Sequence, residues 1–396
     1  MSDQASTSDR RTSYGSVLAD REYRVIFAAS GLSWIGDYLA RAAVTLVVYS
    51  ITQSAAQAAL TFAISFLPWL AGGPVLAALA ERYPLRRVMV FCDLARAVLI
   101  GCVIIHGMPV WGMWLLLFAA ALLNPPFDAS RSALLSHVLS GDRYVLATSI
   151  QSTSQQFALL VGYGPGPALA AYKPWLALLL DSATFLASAV LIWTGVHHRQ
   201  AFAAERERKR LLSETADGFR YILASPVLRS VALVVMLLVA VTNVPEGLAI
   251  GWASRLPHPA GGIALAQALI MGSNPVGQLV GSFAVNRLVP PDRRAPLLPV
   301  LAVLGPLALV PALAHPNVPV IALCAMVSGF ATGALLPNAI GIFARVVIST
   351  FRARVFGVMQ TSVVLSQAVG ILATGDLADR YDLPTVVGLW SAVGTL

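Results

Sequence analysis

The sequence predicts an all-α membrane protein with twelve transmembrane helices arranged as two six-helix bundles. Hydrophobic residues make up 57% of the 396 positions and charged residues only 12%, about half the charged fraction of soluble domains. Twelve apolar stretches follow one another, and 22 of the 27 lysine and arginine residues lie in alternate gaps between them. Because a soluble fold of this length has no way to bury so much apolar surface, the composition excludes a soluble domain.

Most of the apolar stretches are long enough to cross a bilayer. A helix rises about 1.5 Å per residue and needs about 20 residues to cross a hydrocarbon core about 30 Å thick. The last stretch would rise only about 21 Å, so we expect the final helix to be truncated. In chain order, the stretches are 25–51, 57–80, 88–107, 109–134, 144–171, 175–196, 228–252, 261–285, 296–314, 318–346, 354–375 and 383–396.

The basic residues predict the orientation. One set of gaps is arginine-rich, as at 82–87 and 199–229, whereas the opposite set holds only Lys173, Arg255 and Arg380. Cytoplasmic loops carry the excess of positive charge, so the N-terminus is predicted to be inside. We therefore expect a multi-pass protein of a bacterial plasma membrane. The same bias accounts for the net charge of +8, and no nucleic-acid partner is needed to explain it.

Polar segments divide the chain into domains. The longest internal one contains a charged run and then apolar residues at helical spacing, from Leu212 to Leu223, which predicts an amphipathic helix on the cytoplasmic face. The expected organisation is a disordered cytoplasmic tail, a six-helix bundle, a linker with this amphipathic helix, and a second six-helix bundle, at residues 1–22, 23–196, 197–227 and 228–396 respectively.

One pair of charges lies in the first apolar stretch. Ionisable groups inside membrane helices are costly and are functional candidates by default. Asp37 and Arg41 are four residues apart, hence on one helical face, where they can neutralise each other. They are either a salt bridge needed only for insertion or a carboxylate tuned for proton coupling, and the sequence leaves both interpretations open.

Two further acids lie in apolar stretches. Glu246 follows Pro245, which breaks the helical ladder, and has no cation within four residues. We predict a titrating or substrate-facing group, with a solvated position near the outer headgroups as the alternative. Asp181 has the same two interpretations, and the argument for a functional role is weaker than for Glu246.

Amide side chains recur in several of the predicted helices. Some must join helices, at about 0.6 kcal/mol each, but their number indicates a hydrated central cavity that accepts an amphipathic molecule. The predicted lining residues are Gln151, Gln155, Asn243, Asn274, Gln278, Asn338 and Gln360.

Residues 77–87, AALAERYPLRR, resemble the signature GxLaDRxGRR of the major facilitator superfamily. In that family the acidic residue and the arginines form a cytoplasmic latch between the two halves. The resemblance implies this role for Glu81, Arg82 and Arg86, with Asp93 and Arg96 joining the network. Other segments are similar to the branch of efflux permeases that contains the enterobactin exporter, at residues 36–37, 93–97, 131–135, 181–188, 218–229 and 375–380.

The resemblance implies a secondary transporter that works by alternating access. We expect proton-coupled export of a small amphipathic organic molecule, such as a drug, siderophore or secondary metabolite, by a monomer. The proton gradient would be the energy source, with no cofactor or metal. A lipid or lysophospholipid flippase on the same fold is one alternative. A membrane sensor or enzyme is another, but most of the six histidines lie in separate loops or helix ends.

Overall fold

The computed structural model describes residues 14–68, 83–105, 107–139, 142–199, 217–255, 262–294, 296–348 and 352–396. Their regular structure is helical, as predicted. Besides short helices at Tyr14–Leu18, Pro291–Arg294 and Val310–Ala314 and the helical residues 217–224, the described residues form twelve longer helices. They are α1 Arg21–Thr52, α2 Ala55–Ile64, α3 Leu85–Val103, α4 Val110–Val138, α5 Asp142–Tyr163 with Pro165–Tyr172, α6 Pro174–Gly195, α7 Pro226–Thr242 with Val244–Gly247 and Ala249–Arg255, α8 Gly262–Leu288, α9 Leu297–Leu307, α10 Val318–Val346, α11 Arg352–Arg380 and α12 Leu383–Thr395.

Short polar side chains cap the N-termini of several helices. The side chain of Asp20 accepts a hydrogen bond from the Tyr23 N–H at 3.0 Å, and that of Ser54 accepts from the Gln57 N–H at 3.1 Å. Asp382 caps α12 in the same way. Each cap satisfies an N–H group that has no partner within the first helical turn.

Two helices are interrupted where glycine and proline predict it. α5 breaks at Gly164, directly before Pro165, and α7 breaks at Asn243, two residues before Pro245. The expected break of the helical ladder beside Glu246 is therefore confirmed. Irregular backbone at this depth is tolerated where it is buried in protein, and residues 241–250 are all buried.

Helix packing separates the N-terminal helices α1–α6 from the C-terminal helices α7–α12. α6 packs on α1 and α3, and α8 packs closely along α10. Across the two halves, α2 packs on α11 and α5 on α8. Gly277 and Gly281 of α8 lie against the backbone of Met326 and Phe330 in α10, so the two helices approach to backbone contact.

Seven of the described helices are long and apolar enough to cross a membrane. α1 and α3 are also long, but their central Asp37, Arg41, Asp93 and Arg96 make them less apolar. The described part of α2 and the 13 residues of α12 form shorter apolar helices. The seven spans are those over Val110–Val138, Pro174–Gly195, Pro226–Gly247, Gly262–Leu288, Leu297–Ala314, Val318–Phe343 and Val355–Arg380.

Part of the predicted linker is described. Arg199 donates two hydrogen bonds, of 2.6 and 2.8 Å, to Glu22 of α1, so the start of the linker is bound to the N-terminal helices. Residues 217–224 are helical, and Tyr221 and Ile222 pack on the C-terminal helices. The charged part of the predicted amphipathic helix and residues 1–13 of the predicted tail lie outside the described residues.

Candidate functional site: a charged cavity between the helices

A cavity of about 230 Å³ opens among α1, α3, α4, α5, the end of α2 and α11. Its lining combines charged and amide groups with aromatic rings, so the cavity suits a molecule with a polar and an apolar part. It is lined by Ser33, Trp34, Asp37, Tyr38, Arg41, Ser65, Phe66, Arg96, Asn124, Phe127, Asp128, Gln155, Gln360 and Val364.

Arg41 lies in an aromatic enclosure. Its guanidinium carbon is 5.4, 5.5 and 5.0 Å from the ring centres of Tyr38, Phe62 and Phe66, within the range of cation–π attraction. Tyr163 of α5 closes the enclosure, with its ring 5.5 Å from that of Tyr38. The rings stabilise a cation in the membrane without neutralising its charge.

Asp37 pairs with an arginine from another helix. Its nearest cation is Arg96 of α3, with 3.7 Å between the carboxylate oxygen and the guanidinium nitrogen. Arg41 also attracts Asp37, but at longer range. The expected contact pair of Asp37 and Arg41 within α1 is therefore replaced by an ion pair between α1 and α3, because the aromatic rings hold Arg41 elsewhere.

Arg96 is the centre of a buried network in the N-terminal helices. It is 2% exposed and donates to Asp93 at 2.6 Å and to Asn124 at 2.9 Å. The hydroxyl of Ser188 donates to the other oxygen of Asp93 at 2.6 Å. These partners come from α3, α4 and α6, so the structure places Asp93 and Arg96 inside the N-terminal helices, and their part in the predicted latch stays a prediction.

Asp181 of α6 is a buried acid. Its side chain is 1% exposed, and among the described residues neither carboxylate oxygen has a hydrogen-bond donor. It lies against Gly36 of α1, where even a methyl group would overlap its carboxylate. Asp37 and Arg96 are its charged neighbours. The glycine explains how the acid fits there, and the carboxylate belongs to the same charged core as Asp37.

Glu246 faces the same core from the C-terminal half. It is 6% exposed, which is inconsistent with a solvated position near the headgroups. Arg41 is its charged neighbour, and Tyr163 of α5 lies beside it. The two predicted coupling acids, Asp37 and Glu246, are therefore brought together around Arg41, one from each half of the chain.

The predicted amides are divided between two environments. Gln155 and Gln360 line the cavity, and Gln155 also donates to the Tyr38 hydroxyl at 3.4 Å. The others are not among its lining residues. Asn243, Asn274 and Asn338 donate to backbone carbonyls, Gln278 donates to Asn274, and Gln151 is partly buried on α5, so a role of these five in substrate binding stays a prediction.

The predicted latch is described only in part, because Glu81 and Arg82 lie outside the described residues. Arg86 donates to the Trp193 carbonyl and stacks on the Trp193 ring, at 4.6 Å from its centre. The described contacts of Arg86 thus join α3 to α6 within the N-terminal half. Its gating role stays a prediction.

Sequence reasoning missed the aromatic enclosure and undervalued Asp181. The enclosure has a weak signal, since Phe62 and Phe66 are four residues apart and share a helical face. Nothing local identifies Asp181, because its neighbours come from α1 and α3. In the part of the chain that the structure describes, no cluster of three or more His, Cys, Asp or Glu residues has a geometry that would hold a metal ion.

A polar cavity between helices from the two halves of a chain is where secondary transporters bind their substrates. Residues 26–290 match the Major Facilitator Superfamily, and the chain belongs to this family. This is a family of multi-pass membrane transporters and not of enzymes.

The chain is similar to two curated proteins of Bacillus subtilis (strain 168). It is 23% identical over 232 residues to the uncharacterized MFS-type transporter YfiS, over 57% of this chain and 55% of that protein. It is 20% identical over 224 residues to the uncharacterized MFS-type transporter YfmI, over 53% of each. The chain thus spans about half the length of the curated relatives it matches.

Solved structures show the same fold. A peptide transporter of the POT type in complex with sulfate superposes with a TM-score of 0.77 at 13% identity, over 98% of this chain and 94% of that one. The nucleoside transporter NupG superposes with a TM-score of 0.76 at 12% identity, over 94% and 98%. The finer resemblance to the enterobactin-exporter branch stays a prediction.

Proposed function

We propose that this protein couples export of a small amphipathic organic molecule to proton entry across a bacterial plasma membrane. One observation carries the proposal: apart from Asp128, which is paired with Arg131 at 2.8 Å, four buried or partly buried carboxylates face two guanidiniums, Arg41 and Arg96. Excess negative charge in a membrane interior is costly, and bound protons remove it. The four acids are Asp37, Asp93, Asp181 and Glu246.

The position of Arg41 links the proton to the conformational change. Asp37 belongs to α1 and Glu246 to α7, and these helices lie in the halves that rock against each other during alternating access. Movement of the halves changes which carboxylate Arg41 neutralises, and the other then requires a proton. Asp37 is the first choice for the coupling acid because it lines the cavity, and Glu246 is the second.

The cavity also supports a substrate class. Trp34, Phe66 and Phe127 offer apolar surface, whereas Gln155 and Gln360 offer hydrogen bonds from opposite halves of the chain. A molecule that touches both amides senses the relative position of the halves. This polar lining favours a small organic molecule over the lipid of the flippase alternative. Export, a cytoplasmic N-terminus and a monomeric state are part of the proposal and rest on the family resemblance and the arginine pattern.

The test begins with ligand discovery on the purified chain. A thermal-shift screen of amphipathic cations, zwitterions, anions and lysophospholipids identifies a compound that stabilises the folded state. That compound is then followed in proteoliposomes with and without an imposed pH gradient. We expect wild type to accumulate it against its gradient only when the pH gradient is present.

Variants separate coupling from transport. Asp37→Asn and Glu246→Gln should abolish gradient-driven accumulation but retain exchange of compound down its own gradient. Asp376→Asn, an exposed acid paired with Arg380 at 3.0 Å, serves as the matched control and should behave as wild type. Accumulation that ignores the pH gradient in wild type contradicts proton coupling, and lysophospholipid as the only stabilising compound favours the flippase.

A further inference from the structure

The two halves are joined by polar contacts at the end of the bundle that carries the α1–α2 and α11–α12 connections, predicted above to face the outside. Asp379, near the end of α11, contacts the first residues of α2. Its carboxylate accepts from the Ser54 hydroxyl, from the Ala55 N–H at 2.7 Å and from the Ala56 N–H at 3.2 Å. One acid from the C-terminal half thus caps a helix of the N-terminal half.

This contact is favourable for two physical reasons. The first N–H groups of a helix have no partner within the helix, and the helix dipole places positive charge at this end. Ser54 already caps the Gln57 N–H at 3.1 Å, and one carboxylate oxygen of Asp379 accepts from the two preceding N–H groups, those of Ala55 and Ala56. The contact is therefore a charged hydrogen-bond set, although it is partly exposed to solvent.

Close packing surrounds the contact. A Cβ placed on Gly375 would lie 2.6 Å from the Cβ of Ala59, so α11 and α2 touch through small residues just inside Asp379. Such contact leaves no path between the two helices at this level. Separation of α2 and α11 must therefore break the hydrogen bonds of Asp379.

Two more contacts lie at the same end, the first within the C-terminal half and the second between the halves. Arg255, at the end of α7, donates to the Ala378 carbonyl at 3.0 Å, which fastens α7 to the same turn of α11. Ser254 donates to the Tyr49 hydroxyl of α1 at 2.6 Å. Arg255 is one of the three basic residues in the arginine-poor gaps, where the positive-inside rule does not explain a basic residue. Its hydrogen bond to α11 provides a structural role.

The chain carries a related pattern at the end of its second apolar stretch. Residues 375–380 read GDLADR and residues 77–82 read AALAER, so both share a small residue, then Leu-Ala-acid-Arg. In residues 375–380 the acid is Asp379, which caps the start of α2.

We infer that Asp379, with Gly375, Ser54 and Arg255, forms an outer latch that keeps the external side of the transporter closed. Asp379 acts as a gating residue: its bonds hold α2 against α11 until the halves rock apart. The inference rests on the proposed cytoplasmic N-terminus, which puts this end of the bundle outside, but it does not depend on the substrate or the coupling ion.

Cysteine accessibility tests the latch without a known substrate. The reporter is Ala59→Cys in a full-length chain whose Cys92, Cys102 and Cys324 are replaced by serine. Ala59 is fully buried against Gly375, so a membrane-impermeant maleimide applied to right-side-out vesicles reacts only when the latch opens. We expect Asp379→Ala to raise the labelling rate about five-fold or more, and Asp379→Glu to restore most of the protection.

Asp376→Asn is the matched control, because this acid is one turn earlier and bonds to Arg380 of its own helix. It should leave the labelling rate unchanged. Ser54→Ala should raise labelling less than Asp379→Ala, and the double variant should add little to Asp379→Ala alone. Equal labelling in the Asp379→Ala and Asp376→Asn chains overturns the latch, provided that both elute as monodisperse protein. Labelling of the reporter that is already maximal with Asp379 in place overturns it as well.

Discussion

The two halves of the molecule hold their helices together in different ways. In the N-terminal half, α1, α3, α4 and α6 meet around charged groups, with Arg96 bound to Asp93 and Asp37 and with Asp181 close by. In the C-terminal half, α8 and α10 meet through glycines at backbone contact, and amides such as Asn274 donate to backbone carbonyls.

The two ways of joining helices differ in their energetic cost in a membrane. Small residues and neutral hydrogen bonds are the usual means of joining helices in a membrane, whereas buried charges are expensive there and persist where they have a function. The C-terminal half contributes one buried acid, Glu246, to the charged core, and the N-terminal half contributes the rest. We therefore expect the coupling chemistry to reside mainly in α1, α3 and α6, with α8 and α10 as a neutral frame.

The largest effect is expected from Arg96→Ala. Removal of this cation leaves Asp93 and Asp37 buried or partly buried without their partner, and loss of one partner of a buried ion pair costs about 3–5 kcal/mol. Thermal melting of detergent-purified protein, followed by size-exclusion chromatography, should show a large loss of Tm and yield. Arg220→Ala is the control, because this pair with Asp217 is long, at 3.9 Å, and exposed.

A second substitution distinguishes charge from packing at the same site. Arg96→Ala combined with Asp93→Asn should recover part of the lost Tm, because fewer unpaired charges then remain. If the double variant melts below Arg96→Ala alone, the network is held by shape and not by charge, and the comparison between the halves fails.

The next largest effect is expected from Gly277→Ala in the C-terminal half. The added methyl group would overlap the backbone of Met326, which has no flexible end that can move aside. Overpacking of this kind costs about 1–3 kcal/mol. Gly272→Ala, in the same helix, is the matched control because a Cβ there meets nothing within 4 Å, and it should melt at or slightly above the wild-type temperature.

Asp181→Asn and Asp93→Asn should have opposite signs. Among the described residues no group donates a hydrogen bond to the carboxylate of Asp181, so neutralising it relieves a buried unsatisfied charge and should stabilise the fold by about 1 kcal/mol. The same change at Asp93 weakens bonds to Arg96 and Ser188 and should destabilise it. Parallel melting curves of the two variants provide the measurement. A loss of Tm in both would show that Asp181 has a partner in the folded protein.

Sequence patterns predict the helices better than the site. The alternation of apolar stretches and arginine-rich gaps, and the breaks at Gly164 and before Pro245, depend on local chemistry and appear directly in the chain. The ion-pair partner of Asp37 cannot be recognised from the local sequence. Arg41 is the nearest cation in sequence, but three aromatic rings hold it away and an arginine of α3 takes its place.

Contacts between the two halves are the least predictable feature. Asp379 reads as an acid at the end of a helix, and nothing near it in sequence indicates that its acceptors serve the start of α2, 324 residues away in the case of Ala55. The cavity amides illustrate the same limit. Gln155 and Asn274 look alike in sequence, yet one lines the cavity and the other bonds to the backbone, because helix rotation decides which side chains face inward.

The smallest effect is expected from pH at the end of the C-terminal half where α11 meets α12. Asp382 caps α12 and accepts from Thr385 and from His315, at 2.8 Å for the latter. Partial burial opposes ionisation, but these hydrogen bonds prevail and lower the pKa of Asp382 below its ordinary value of 3.8. A carboxylate with a lowered folded-state pKa stabilises the fold above that ordinary value, and the contribution is lost as pH falls through the folded-state pKa. The Tm difference between wild type and Asp382→Asn should therefore shrink as the pH falls below 3.8. Asp376→Asn should show a smaller difference throughout.

Because the Asp382 site is half exposed, the loss of Tm in Asp382→Asn should be smaller than the losses caused by removing buried charges of the N-terminal half. A larger loss would place the main electrostatic dependence of the fold in the C-terminal half, which we assign to neutral packing.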